Sequence, residues 1–362
     1  MVNYIVRRIL LMFPTLLGMT LVVFLVMALS PGGIGGSALN EIGQLDSEQG
    51  RELKEYYEKR YGLDAPILVQ YVRWLNQISP VGFEVSFDEE GSRQFDRFGF
   101  KKPDLGFAYS RKRAVIELFA EALPITLTLN LITTPIAYAL AIPLGIYAAR
   151  HRGSWFDHGS SVLVLALWSM PNIMVAVLLI GYLANRDHLA WFPPSGITSM
   201  DAQDMRFLPG PDAAGQFQRG WLADRAWHLV LPMICMVYGS FAFLMKLMRS
   251  SVLENTAADF VRTARAKGVD ERTVLWGHTV RNSMLPLITV AAGIVPGLLA
   301  GSFVIEKIFS IPGMGLLMVD GIFARDRELV LAGALIGGVL SLVFILVADL
   351  LYAVADPRVS YD

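Results

Sequence analysis

Residues Asp259 to Pro286 read DFVRTARAKGVDERTVLWGHTVRNSMLP, a polar and basic stretch between two long apolar runs. One run ends near Met248 and the next resumes at Leu285. Ala257 to Lys267 contains few helix breakers, and Gly268 stands where a helix would stop in a left-handed turn. At the helical period Ala257, Phe260, Val261 and Ala264 share a face, with Arg262, Arg265 and Lys267 elsewhere on the surface. The expected element is a short helix with a small-residue face and a basic rim, held just outside a membrane. A helix rich in Ala and Thr lets another protein's groove come close to its backbone. The same residues also fit an ordinary cytoplasmic loop carrying positive-inside charge.

Composition sets the class. The chain has 362 residues, of which 54% are hydrophobic and 17% charged, and its mean hydropathy is +0.47. Soluble domains are about one quarter charged. Several apolar runs approach the roughly 20 residues that a transmembrane helix needs. The expected fold is an all-α polytopic membrane protein with six transmembrane helices and a long external loop between the first two. The net charge of −1 gives no basic field for nucleic acid. The single cysteine, Cys235, permits no intrachain disulfide and reads as a small packing residue.

The six spans follow from the apolar runs. Arg7 and Arg8 precede Ile9 to Leu29, which is longer than a signal-peptide core and reads as a retained first span with its N-terminus in the cytoplasm. Pro31 to about Arg113 forms the external loop. Within it, Asp46 and Gln49 resemble a capping pair for a helix ending at Tyr61 and Gly62, and Pro66 opens a second helix. Tyr71 and Trp74 are expected at the lipid interface, and Gly82 to Gly106 as irregular chain. Further spans are expected at Pro124–Ala149, Ser160–Ala184, Trp227–Met248, Leu285–Ile305 and Leu329–Val354. The short loops assign the sides. Lys246 to Arg281 holds about seven basic and four acidic residues and reads as inside, whereas Asn185 to Ala226 is nearly balanced and reads as outside. Glu306 to Glu328 then lies outside, and the tail at Asp356 inside. In domain terms, 1–30 is a stub plus first helix, 31–120 the external loop, and 121–362 a five-helix core with a coupling loop at 249–285.

Several chemistries have no sequence support. There is no phosphate-binding loop, no zinc spacing, and the five histidines, His151, His158, His188, His228 and His278, are scattered. No metal or cofactor is expected. An ion-coupled carrier places carboxylates at mid-membrane, yet the spans offer only Asp349 near an inner end, read as pairing with a helix end, and Glu306 at an outer edge. Thr126, Thr128, Asn130, Thr133, Thr134 and Asn172 fit helix packing or a polar route. Without a nucleotide or coupling-ion site, the energy for a pump must come from a partner, and the helix at Ala257–Lys267 is the place for that partner to dock.

These residues resemble a known family. Arg262-Thr263-Ala264-Arg265-Ala266-Lys267-Gly268, followed by Arg281-Asn282 and Leu285-Pro286, is similar to the coupling loop of bacterial ATP-binding-cassette (ABC) importer permeases, in the branch serving dipeptides, oligopeptides and nickel. Tyr61-Gly62-Leu63-Asp64-Ala65-Pro66, Trp191-Phe192-Pro193-Pro194-Ser195-Gly196, His228-Leu229-Val230-Leu231-Pro232 and Ile311-Pro312-Gly313-Met314-Gly315 agree in order along nearly the whole chain. Arg262 and Thr263 stand where the broader superfamily has Glu and Ala, and the stretch from about Gly82 to Pro103 is longer than in the commonest members. The resemblance implies a type I importer permease fold in the bacterial inner membrane. It implies a second similar permease, two cytosolic ATP-binding subunits and an extracytoplasmic substrate-binding protein as partners. Ala264 and Gly268 would be central to the coupling helix, with Arg262, Thr263, Arg265, Ala266 and Lys267 around them. Peptides are the expected substrate, with nickel, opines, glutathione or sugars as alternatives. An ion-coupled secondary transporter is the other class weighed.

Overall fold

The computed structural model describes residues 2–29, 48–62, 65–87, 93–211, 215–297 and 302–355. It is a mostly helical protein that divides into two compact units. Among the described residues four helices are long and apolar enough to cross a membrane: Val6–Leu29, Val115–Arg150, Trp221–Ala257 and Arg327–Val347. A fifth crossing is possible if Trp155–Ser169 and Asn172–Ala184 form one span, although the pair is bent by 96°. That bend falls at Met170–Pro171, inside the expected third span. Pro171 disfavours helical backbone at Met170, which adopts φ −83°, ψ 122°. The expected fifth span crosses residues 298–301, which lie outside the described residues, as do the Asp46 cap and the Asp356 tail.

The first unit contains residues up to Glu121 and Leu317–Leu346. Helix α1 (Val2–Leu29) packs against two helices of the loop region, α2 (Glu48–Tyr61) and α3 (Ile67–Ile78). Gly62 closes α2 at φ +65°, a left-handed value that glycine adopts without a Cβ penalty. Tyr71 and Trp74 are not at a lipid surface: both are buried, with Phe24, Tyr57, Tyr61, Ile78 and Leu331, in an aromatic cluster. Their spacing on α3 aims both at α1, and the Phe24 ring lies 5.5 Å from Tyr71 and 5.7 Å from Trp74. The expected irregular chain after Gly82 is instead an antiparallel hairpin, β1 (Val81–Phe87) with β2 (Arg93–Phe100). Val81, Phe83 and Val85 alternate with polar or small residues, the period-2 pattern of a strand.

Arg60 is buried and joins three parts of the first unit. It donates to Asp104 at 2.5 Å and lies 3.0 Å from Glu328, which also accepts from the Tyr61 hydroxyl at 2.8 Å. Asp326 accepts from the Ser110 amide and hydroxyl.

The second unit contains Ala122–Leu316. Its frame is α4 (Val115–Arg150), the bent pair α5 (Trp155–Ser169) and α6 (Asn172–Leu179), and α7 (Trp221–Thr256). Gly145 allows α4 and α7 to approach, because a Cβ there would meet Met248 Cβ at 2.8 Å and the Met245 carbonyl at 2.9 Å. Helix α4 carries three internal prolines without a break. Thr128 and Thr133 turn their hydroxyls onto backbone carbonyls four residues back, and Asn130 does so with its amide. These groups are satisfied by the backbone of their own helix, which does not decide between helix packing and a polar route. Cys235 is likewise buried among apolar residues.

Candidate functional site

The polar stretch from Ser251 to Ser283 forms one compact assembly at the end of α7. Helix α7 runs to Thr256, two turns beyond its last strongly apolar segment. Ala258 then adopts extended backbone and starts α8 (Asp259–Ala266). Asp259 in the first turn of α8 suits the helix dipole. Lys267 closes the helix, Gly268 sits at φ +76°, and Val269 N–H donates to the Ala264 carbonyl at 3.2 Å. This is the left-handed stop that the position of Gly268 predicts. Asp270 then caps α9 (Glu271–Thr273) by accepting the Thr273 amide at 3.0 Å. Hydrogen bonds from Thr273 hold the Asp270 carboxyl below its ordinary value.

The burial of α8 differs from the expected small-residue face. Val261 is fully buried and Ala264 is 7% exposed, both packed on Val274 and Val269. Phe260 is 41% exposed and Ala257 is exposed as well. Ala257 caps the end of α7 and is separated from α8 by the extended Ala258, so it does not share the α8 face; of the remaining three only Val261 and Ala264 reach the centre of the contact. The small face therefore turns towards this chain's own loop. The open surface of α8 consists of Phe260, Arg262, Thr263, Ala266 and Lys267, with Gly268 at its end. Arg265 is held to its own chain, donating through Nε and Nη2 to the Glu271 carboxylate at 2.8 and 3.3 Å.

The segment after α9 explains how α8 is supported. Val274–Val280 is π-helical and continues into Arg281–Ser283. Thr279 Oγ1 donates to the Val274 carbonyl, five residues back. Ser283 is fully buried and donates to the Ser251 carbonyl of α7 at 3.2 Å and to Thr279 O at 2.8 Å. Small residues at 251, 279 and 283 let this rod lie close against α7. Packed side chains thus join α8 and this rod to α7 and to α11 (Leu285–Gly297), with α10 denoting Arg281–Ser283.

Beside this assembly lies a cavity of about 480 Å³ lined by Arg150, Arg265, Glu271, Arg272 and Trp276 among others. Asp157, in the first turn of α5, is buried and receives Arg249 Nε at 2.5 Å and Nη2 at 2.8 Å. Ninety-two residues separate that pair, so no local pattern could have revealed it.

A second polar anchor also escaped sequence reading. Glu306, in α12 (Phe303–Ile308), is buried; its carboxylate accepts from Thr126 at 3.2 Å and from the Leu316 amide at 2.7 Å. The Met314 amide donates to Thr126 Oγ1 at 2.8 Å. A Cβ at Gly313 would sit 2.6 Å from the Glu306 carboxyl carbon, so glycine is required for the loop to close on it. The Ile311–Gly315 turn, together with an acid five residues before it, is the only sequence signal for this anchor. His228 is buried and its Nδ1 lies 2.9 Å from the Asp224 carbonyl, a packed histidine. The side chain of Asp349 is outside the description. Among the described residues no group of three His, Cys, Asp or Glu could hold a metal ion.

Comparison with known proteins agrees with this architecture. Residues 141–361 match the family described as "Binding-protein-dependent transport system inner membrane component". Residues 1–130 match the N-terminal domain of the same group. The chain is 33% identical to the oligopeptide transport system permease AppB of Bacillus subtilis, over 100% of both chains. It is also 33% identical to a putative peptide transport system permease of Brucella abortus, over 100% of both. It is 29% identical to the peptidoglycan transport system permease YejB of Agrobacterium fabrum, over 99% of this chain and 98% of that one. With both its N-terminal and its membrane domain matched along nearly its full length, the chain belongs to the binding-protein-dependent transport system inner membrane components, the permeases of ABC importers.

Proposed function

We propose that this chain is one of two permease subunits of an ATP-driven importer for di- or oligopeptides, docked to a cytosolic ATPase through the outward side of α8. The observation that carries the coupling role is the placement of α8. It is a rigid, left-handed-stopped helix whose inner residues are locked to Val274, and whose outer residues are left for a partner. Arg262, Thr263, Ala266, Lys267 and Gly268 make the contact. Ala264 fixes the distance between α8 and Val274, and Arg265 is held in place by Glu271. ATP-driven closure of the partners then displaces α8 as a body, and α7 and α11 tilt with it.

The remaining topology is part of the same proposal. Six spans place both termini and the 249–285 loop in the cytoplasm of a bacterial cell, and the residues from about 31 to 120 outside its inner membrane. A second, similar permease completes the path, two ATP-binding subunits grip one coupling helix each, and an extracytoplasmic binding protein delivers substrate. Peptides are favoured by the names of the relatives, and the Agrobacterium relative, named for peptidoglycan transport, adds peptidoglycan to the class.

The test uses the complete complex in liposomes. Gly268→Asp introduces a charge and a Cβ where nothing lies within 4 Å, and Gly268→Asn, which carries the same left-handed backbone strain at φ +76° without the charge, separates that strain from docking. ATP hydrolysis without peptide uptake is the expected result for Gly268→Asp, and full uptake by that variant would remove the coupling role. Uptake by the isolated chain down an ion gradient would overturn the whole reading.

A further inference from the structure

The β1–β2 hairpin carries an apolar face that nothing among the described residues covers. Its register pairs Val81 with Phe100, Phe83 with Phe98 and Val85 with Phe95. Directly opposed residues of an antiparallel pair share a face. Phe95 and Phe98 are three apart and would otherwise point to opposite sides. The register shift between Phe83 and Val85 absorbs one residue of β2 and returns both rings to the same side. Phe83 meets Phe95 and Phe98 in edge-on contacts at 5.9 and 5.1 Å. Phe100 is 90% exposed and Phe98 60%. The other face presents Glu84, Ser86 and Gln94, all exposed.

The hairpin is fastened to α3. The Asn76 side chain donates to the Phe83 carbonyl at 2.9 Å and accepts its amide at 2.8 Å. The Lys101 amide donates to the Pro80 carbonyl, and the Asp104 amide to Gln77 O. Helix α3 is in turn fastened to the candidate span α1 well short of its outer end. The Tyr71 hydroxyl lies 3.0 Å from Thr20 Oγ1 and donates to Leu17 O at 3.1 Å. At 1.5 Å per residue, Thr20 and Leu17 lie about 14 and 18 Å before Leu29. Helix α3 therefore sits beside the apolar part of α1, and its outward side, Leu68, Val69 and Val72, is exposed and apolar. A hairpin that starts three residues after such a helix starts next to the bilayer.

We infer that the aromatic face of β1–β2 rests on the outer surface of the lipid bilayer, with its rings at the boundary between headgroups and acyl chains. Aromatic rings favour that boundary. An apolar face open to water on an unshielded two-stranded ribbon is otherwise an association hazard. Helix α3, which carries the apolar, exposed side, ends three residues before the hairpin begins, so lipid covers the face without a further partner. The hairpin acts as a float that sets the height of the external region. This inference needs α1 to be a membrane span; it is independent of the substrate and of the coupling role of α8.

The experiment places nitroxide labels at Phe98→Cys and Ser86→Cys, each in a Cys235→Ala background. The full complex is reconstituted in phosphatidylethanolamine–phosphatidylglycerol liposomes. The label at 98 is expected to collide several-fold more with oxygen than with a water-soluble nickel chelate, and the label at 86 the reverse. A second variant, Phe98→Trp, is expected to be quenched by lipids brominated high on the acyl chain. A water-like label at 98 overturns the inference. So does a label at 98 that is immobile and shielded from both reagents, because a protein partner then covers the face.

Discussion

Arg249 and Asp157 form a two-pronged ion pair, Nε to Oδ1 and Nη2 to Oδ2, that ties the end of α7 to the first turn of α5. The Gly153 amide adds a third hydrogen bond to the same carboxylate. Arg249→Lys keeps the charge but loses the planar fork. It is expected to loosen the His151–Ser154 turn without unfolding the chain, measured as faster amide exchange over residues 151–157. Arg249→Ala leaves the Asp157 carboxylate with the Gly153 amide but no cation, and is expected to cost about 1–3 kcal/mol. Equal exchange in all three proteins would show that the pair does not hold this turn.

Ala264 is buried against Val274, whereas Lys267, one turn later, is exposed because it stands at the end of α8. A cysteine at Lys267 or Thr263 is expected to cross-link to an ATP-hydrolysing partner in the assembled complex, while a cysteine at Ala264 stays silent. Ala264→Leu forces the helix away from Val274, with an overpacking penalty of about 1–3 kcal/mol, and is expected to lower uptake per ATP hydrolysed. Efficient capture from position 264 alone would place the docking surface on the wrong side.

Gly313 gives way to the Glu306 carboxylate. Gly313→Ala is expected to lower thermal stability, again by about 1–3 kcal/mol. No positive φ is involved at Gly313, so the whole effect comes from the contact. Combining it with Glu306→Ala removes the obstacle, and the two changes together are expected to cost clearly less than their sum. Simple additivity in a double-mutant cycle would disprove the contact.

Asp104 gives the first unit an acid limb. Burial alone would raise its carboxyl, but the Arg60 guanidinium and the Gly106 amide outweigh that and hold it below its ordinary value of 3.8. A carboxyl lowered in the folded state contributes stability that is complete above 3.8 and fades as pH falls through the lower native value. Amide exchange over residues 101–107 is expected to accelerate as pH drops below about 4, once corrected for intrinsic rates. Asp104→Asn is expected to lose that pH dependence, and an unchanged acid limb in the variant would assign it to another group.

Much of the site was legible. The left-handed stop at Gly268 followed from a glycine placed after an unbroken helical run, because only backbone geometry is needed to read it. The helical period of Phe260, Val261 and Ala264 holds, but Ala257 belongs to the end of α7 and only Val261 and Ala264 are buried. Period gives direction around a helix axis, but the width of the contact depends on what lies opposite, and here that is the single side chain of Val274 with Val269 beside it. Tyr71 and Trp74 were misplaced for a related reason. Aromatic residues beside a span suit a lipid interface and a protein core equally well, and Phe24 on α1 decided between them. The hairpin was overlooked although Val81, Phe83 and Val85 alternate as a strand should; its glycines and charges masked the pattern.

By itself the sequence determined the membrane class, most of the apolar segments, the family and the place where the helix before Gly268 stops, because these depend on composition, local backbone preference and short-range order. The tertiary structure alone decided which side of α8 is open, that Arg249 meets Asp157, and that Glu306 is closed over by Gly313 and Leu316. Those facts join residues far apart along the chain, and only folded geometry, not local pattern, brings such groups within hydrogen-bonding distance.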